Sequence, residues 1–170
     1  MLKIKFLILL LCIGCSLVQN PDDIKPCDPV ACDSIIVQLI LDKNGIDKTV
    51  GDVAGLVSPG RVVILQLASL GMTVIPPEIG KLDKLIFLDI ENNKVKLLPE
   101  QFGDLNNLSL LQMNNNQLSD LPKSILNIDL DSLPITEINY NRLCDLSSDI
   151  EAWIDFHSVD SLWRDSQICD

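Results

Sequence analysis

Aromatic residues are scarce in this chain: four Phe, two Trp and one Tyr among 170 residues, 4% of the total. Apolar residues nevertheless make up 47%, so Leu and Ile must carry the packing, as in repetitive aliphatic cores. Histidine is almost absent. The one His, His157, falls just after the start of a C-terminal helical segment and reads as a surface or cap residue, not a general base. No pair of carboxylates flanks a His or Cys at a useful spacing, and neither a phosphate-binding loop nor a His/Cys metal cluster is present. Asp22-Asp23 and Asp129/Asp131 lack the spacing of a calcium loop and read as solvated acids. The chain is therefore expected to have no cofactor, no metal and no enzymatic activity. Basic residues are also short: 13 Lys and Arg stand against 24 Asp and Glu, a net charge of −11. Nothing here would neutralise phosphates, which excludes nucleic acid as a partner.

A long apolar run is missing too. Phe6 to Ile13 is apolar throughout, but too short to span a bilayer. With Lys3 and Lys5 before it, residues 1–15 are shaped like a secretory signal. Gly14-Cys15 at its end resembles the bacterial lipobox, although Cys12 stands where Leu is usual. The resemblance implies lipidation of Cys15 and a membrane tether through that lipid, with export to the cell envelope or surface; plain secretion is the alternative. Cleavage before Cys15 removes two Lys and no acid, leaving 11 basic groups against 24 acidic and a net −13. Residues 16–26, "SLVQNPDDIKP", hold two prolines and no periodicity, and read as a linker.

What the chain does have is repetition. "LDIENNKVKLLP" (88–99) returns as "LQMNNNQLSDLP" (111–122). Aligned on the Asn, four copies appear, with Leu70, Asn93, Asn116 and Asn141 at that position and spacings of 23, 23 and 25 residues. The last interval carries an insertion near "NIDLDS". The alternation around each Asn predicts a short strand. Leu88 and Ile90 of the second copy point inward, and Thr136 takes an inward place in the fourth. The Asn amide can bond backbone groups that no ladder satisfies. Ile79, Phe102 and Ile125 should close the core from the far side. One copy cannot bury its own apolar face, so neighbours must stack.

Both ends of such a stack need cover. "CDPVACDSIIVQLILDKNG" reads as a helix with Asp28 as N-cap, Pro29 first, and Asn44-Gly45 as a stop signal. Cys32, Ile36, Leu39 and Ile40 share a face. "TVGD" (49–52) looks like a second short helical start, and "SPG" (58–60) a turn. "SDIE" (148–151) reads as a capping box ahead of Trp153 and Ile154, with Trp153 and Trp163 supplying core. Four cysteines lie beyond the signal. Cys27 and Cys32 occupy positions that meet in a hydrophobic staple. Cys144 falls where other copies have exposed polar residues, with Cys169 as its available partner. Disulfides Cys27–Cys32 and Cys144–Cys169 are expected, the alternative being four reduced thiols.

The pattern L-x-x-L-x-L-x-x-N-x-L, at this period, resembles that of secreted leucine-rich-repeat proteins with terminal caps. The resemblance implies an α/β solenoid of about four repeats, with short parallel strands on a concave face and helical caps at both ends. The expected layout is a cap at 27–60, repeats at 61–146 and a second cap at 147–170. It also implies a binding module without catalysis, engaging a protein, peptide or glycan through the concave face, and a monomeric chain. The strand spacers form that face in columns: Ile64, Phe87, Leu110 and Ile135; Gln66, Asp89, Gln112 and Glu137; Ala68, Glu91, Asn114 and Asn139; and Ser69, Asn92, Asn115 and Tyr140. An apolar strip beside an acidic and amide strip suits recognition. The alternative is an envelope spacer or assembly component.

Overall fold

The computed structural model describes residues 29–57, 60–128 and 136–169. The signal-like segment with Cys15, the linker, Cys27, Asp28, Asp129, Asp131 and Ile135 lie outside the described residues. The fold is mixed α/β. A five-stranded sheet runs in the order β1 (Ala54–Val57), β2 (Arg61–Gln66), β3 (Phe87–Asp89), β4 (Leu110–Gln112), β5 (Thr136–Glu137). Strands β2 to β5 pair in parallel, each with the next copy of its own motif. Helices α1 (Pro29–Lys43) and α2 (Val50–Val53) precede the parallel strands, and α3 (Ser148–His157) follows them.

The parallel strands stack because each exposes one apolar row to the same core. Leu65, Leu67, Leu88, Ile90, Leu111, Met113 and Ile138 are buried, as is Thr136. Opposite the strands, three 3-10 turns, Pro77–Lys81, Glu100–Asp104 and Lys123–Asn127, set Ile79, Phe102 and Ile125 into the core at 0% exposure. Leu-Pro or Ile-Pro leads into each turn, since a proline φ suits its entry and costs no needed donor. The turns sit against one another at Gly80 and Gly103. A Cβ there would lie 2.2 Å from the Gln101 and Ser124 carbonyl oxygens respectively. The third turn has Leu126 at that place and packs beside α3 instead.

The Asn positions join one coil to the next. Asn93 Nδ2 donates to the carbonyls of Leu67 and Ile90, while its Oδ1 accepts from the N–H of Leu70 and Met72. Asn116 and Asn141 repeat this, accepting from Val95 and Leu118 and donating to Ile90 and Met113 and to Met113 and Ile138. Leu70 has no earlier coil to serve. Asn44, at the end of α1, does comparable work: its Oδ1 accepts from Thr73 and Val74, and its Nδ2 donates to Ile40 and Val74.

Three sequence expectations change. Residues 54–57 form a strand, antiparallel to β2, within the expected helical cap 27–60, where no strand is expected. Gly55 allows this pairing, because a Cβ there would meet the Ile64 Cβ at 2.9 Å. The buried face of α1 is Ile36, Val37, Ile40 and Leu41, with Cys32 and Leu39 only half-buried. It also buries Asp33, whose carboxylate accepts from Arg61 Nε (2.8 Å) and the Val62 N–H (2.9 Å). The "SDIE" capping box does not form: α3 begins at Ser148 with Ser147 as its N-cap, which puts Ile150, not an acid, at the reciprocal position. A reciprocal contact is found instead at α2, where Thr49 N–H and Oγ both donate to Asp52, each at 2.8 Å.

Candidate recognition face

Strand register builds the face. Ile64, Phe87 and Leu110 are direct neighbours across β2, β3 and β4, because the 23-residue interval returns the same position to the same height. Ile64 is exposed, and Phe87 and Leu110 are half-buried. Ile135, assigned to the same column, lies outside the described residues. Gln66, Asp89, Gln112 and Glu137 form a second aligned row.

Beyond the strands the side chains bond to one another. Asn114 Nδ2 donates to Glu137 Oε2 at 2.7 Å and to Glu91 Oε1 at 3.5 Å, and Gln112 Nε2 donates to Glu137 Oε1 at 3.4 Å. Asn114 Oδ1 accepts from the Asn139 N–H. Asn114 is thus buried and committed within the face, whereas Asp89 keeps one bond, from the Glu91 N–H. The network runs on through Asn139, of the third spacer column, to two residues that the repeat pattern does not mark. Asn139 Nδ2 donates to Asp160 Oδ2 (3.0 Å), and Ser166 Oγ donates to Asn139 Oδ1 (3.2 Å). Asp160 and Ser166 come from the C-terminal segment, which reaches the sheet through a bridge from Thr136 to Ser158. Only the Asn in this set carried a sequence signal; the tail's route did not.

Tyr140 sits at the corner after β5, exposed, with φ of 56°. Ser69, Asn92 and Asn115 hold the same corner with φ between 52° and 58°. Left-handed backbone is mild for Asn and unusual for an aromatic residue.

Away from the face, Cys144 and Cys169 are joined as a disulfide, with Cα atoms 5.9 Å apart. Cys32 is half-buried on α1, and its expected partner lies outside the described residues. His157 is not on the surface. It is buried beside Trp153, with Nδ1–H donating to the Trp153 carbonyl at 2.8 Å. Trp153 and Trp163 are both core, and Trp163 Nε1 donates to Asp155. Arg164 lies over the Trp163 ring and pairs with Asp155 and Glu151. The Arg164 guanidinium, then the Trp163 N–H, hold the Asp155 carboxyl below its ordinary value. Among the described residues no helix is long and apolar enough to cross a membrane.

The stacked coils, with inward Leu rows and an Asn in three of the four bends, are leucine-rich-repeat-like. No known family's sequence profile matches the chain, and no curated protein matches it. Among solved structures it is similar to a leucine-rich-repeat protein of Leptospira interrogans, at 32% identity and a TM-score of 0.47. The match covers 54% of this chain and 23% of that one, so the chain spans less than a quarter of that protein's length.

Proposed function

We propose that this protein is an exported, monomeric, non-enzymatic binding module. In this reading about four leucine-rich repeats (61–146) present a concave strand face to a protein, peptide or glycan, and residues 27–60 and 147–170 close the two ends. The observation that carries the reading is the aligned row of Ile64, Phe87 and Leu110 left on the open side of the sheet, beside acids and amides fixed by mutual hydrogen bonds. A half-exposed apolar row gains by desolvation, and a pre-ordered polar row sets register at little further entropy cost. The four parallel strands span about 15 Å at ~4.8 Å per interval, which suits a peptide, a loop or a short glycan. The Cys144–Cys169 bond supports export, since such bonds persist in oxidising compartments.

The test is capture from surface extracts, followed by Phe87→Ser and Tyr140→Ala. Neither side chain is core, and Ala meets the same backbone constraint at position 140 as Tyr, so circular dichroism should be unchanged. Loss of saturable binding in both supports the face; retained binding in both rejects it. The lipid anchor at Cys15 is part of the proposal. Cys15→Ser should move the protein from the membrane fraction to the soluble one, and unchanged partitioning rejects the anchor.

A further inference from the structure

A second surface is shaped for a ligand, and it is not the strand face. On the flank where the chain passes from the Asn bends to the 3-10 turns, a groove of about 640 Å³ opens between the second, third and fourth copies and the start of α3. That volume lies in the usual range of ligand sites, ~300–1,000 Å³. Its floor is apolar, built from Leu98, Leu121, Pro122 and Ile150, which the core holds in place. Leu97 stands at its edge, 61% exposed, where the third and fourth copies carry Asp120 and Asp145.

The walls decide the occupant. Glu100, Asp120, Asp145 and Asp149 line the groove against one amine, Lys123. Among the described residues none of the four carboxylates has a Lys or Arg within ion-pair distance. Asp120 accepts only from the Leu121 N–H, and Glu100 from the Ser124 N–H at 3.4 Å. The groove therefore joins an apolar floor to an excess of negative charge. Lys and Arg side chains match both parts, because they lay an apolar stem on a surface while the charged head reaches polar groups.

We propose that this groove binds a basic, apolar peptide segment of another protein, with Lys or Arg stems on the Leu98–Leu121–Ile150 floor and their heads among Asp120, Asp145 and Asp149. The proposal is independent of the strand face.

The experiment is fluorescence anisotropy of the purified full chain with a labelled peptide of alternating Arg and Leu. Peptides of alternating Arg and Gly, and of alternating Glu and Leu, serve as comparators. Saturable binding of the Arg-Leu peptide is expected, weakened about tenfold or more by Leu97→Ser and by Asp120→Asn with Asp145→Asn. These side chains are exposed, so folding should be unaffected. The paired change Glu91→Gln with Glu137→Gln, on the strand face, should leave the affinity unchanged. Equal binding of the Arg-Gly peptide would show that the floor is unused and overturn the proposal. So would binding that the strand-face variant weakens as much as the groove variants, since that is attraction to the whole acidic molecule. Absence of saturable binding overturns it outright.

Discussion

Asn93, Asn116 and Asn141 show how much one side chain can hold. Each satisfies backbone groups of its own bend and of the preceding coil from a nearly water-free position. A buried carbonyl or N–H without a partner costs ~1–3 kcal/mol. Asn116→Ala would strand the Val95 N–H and take one of two donors from the Ile90 and Met113 carbonyls, which Asn93 and Asn141 also serve. We expect a loss of about 3 kcal/mol in urea unfolding. A loss under 0.5 kcal/mol would mean that water or a shifted backbone takes over those groups. This role was legible in the sequence because the spacing repeats. The equivalent work of Asn44 was not, because an Asn before Gly at a helix end reads equally well as a stop signal. The burial of Asp33 was illegible for a similar reason: its partners, Arg61 and the Val62 N–H, are 28 and 29 residues away.

At the scale of elements, the 3-10 turns explain a difference between the copies. Gly80 and Gly103 are needed where another turn lies directly against the backbone; Leu126 is tolerated where α3 takes that place. Gly103→Ala forces a Cβ toward the Ser124 carbonyl and should cost about 3 kcal/mol. Gly51→Ala is the control: it lies in α2 with nothing closer than 3.9 Å, so its thermal midpoint should hold or rise. Equal midpoints for the two variants would contradict this packing account. Strand β1 escaped the sequence reading because it is four residues long with a Gly inside, and its pairing depends on what Ile64 does above it.

The C-terminal helix and tail are also tied by charge. The folded Asp155 carboxyl lies below its ordinary value of 3.8, chiefly through Arg164. A depressed carboxyl contributes stability that is full above the unfolded pKa and is lost as pH falls through the folded one. Stability should therefore decline below pH 3.8. Asp155→Asn should flatten that part of the decline, while Asp52 and Asp149, also depressed, keep theirs. An unchanged acid limb in denaturant titrations of Asp155→Asn would remove this pair from the account.

For the whole molecule, a chain poor in rings and basic groups builds its core from stacked aliphatic rows and turns an acidic surface outward. The columns of the candidate face could be read before the structure because a fixed repeat sets register, and register aligns Ile64 with Phe87 and Leu110. The extension of the face through Asn139 to Asp160 and Ser166 could not. It depends on how a non-repeating tail returns to the sheet edge. The most direct measurement of the central claim is photo-cross-linking from a benzoylphenylalanine placed at position 87, compared with the same group at exposed Gln101 on the opposite, 3-10 side. The account predicts a partner adduct from position 87 and none from position 101. Adducts from position 101 alone would contradict recognition by the strand face.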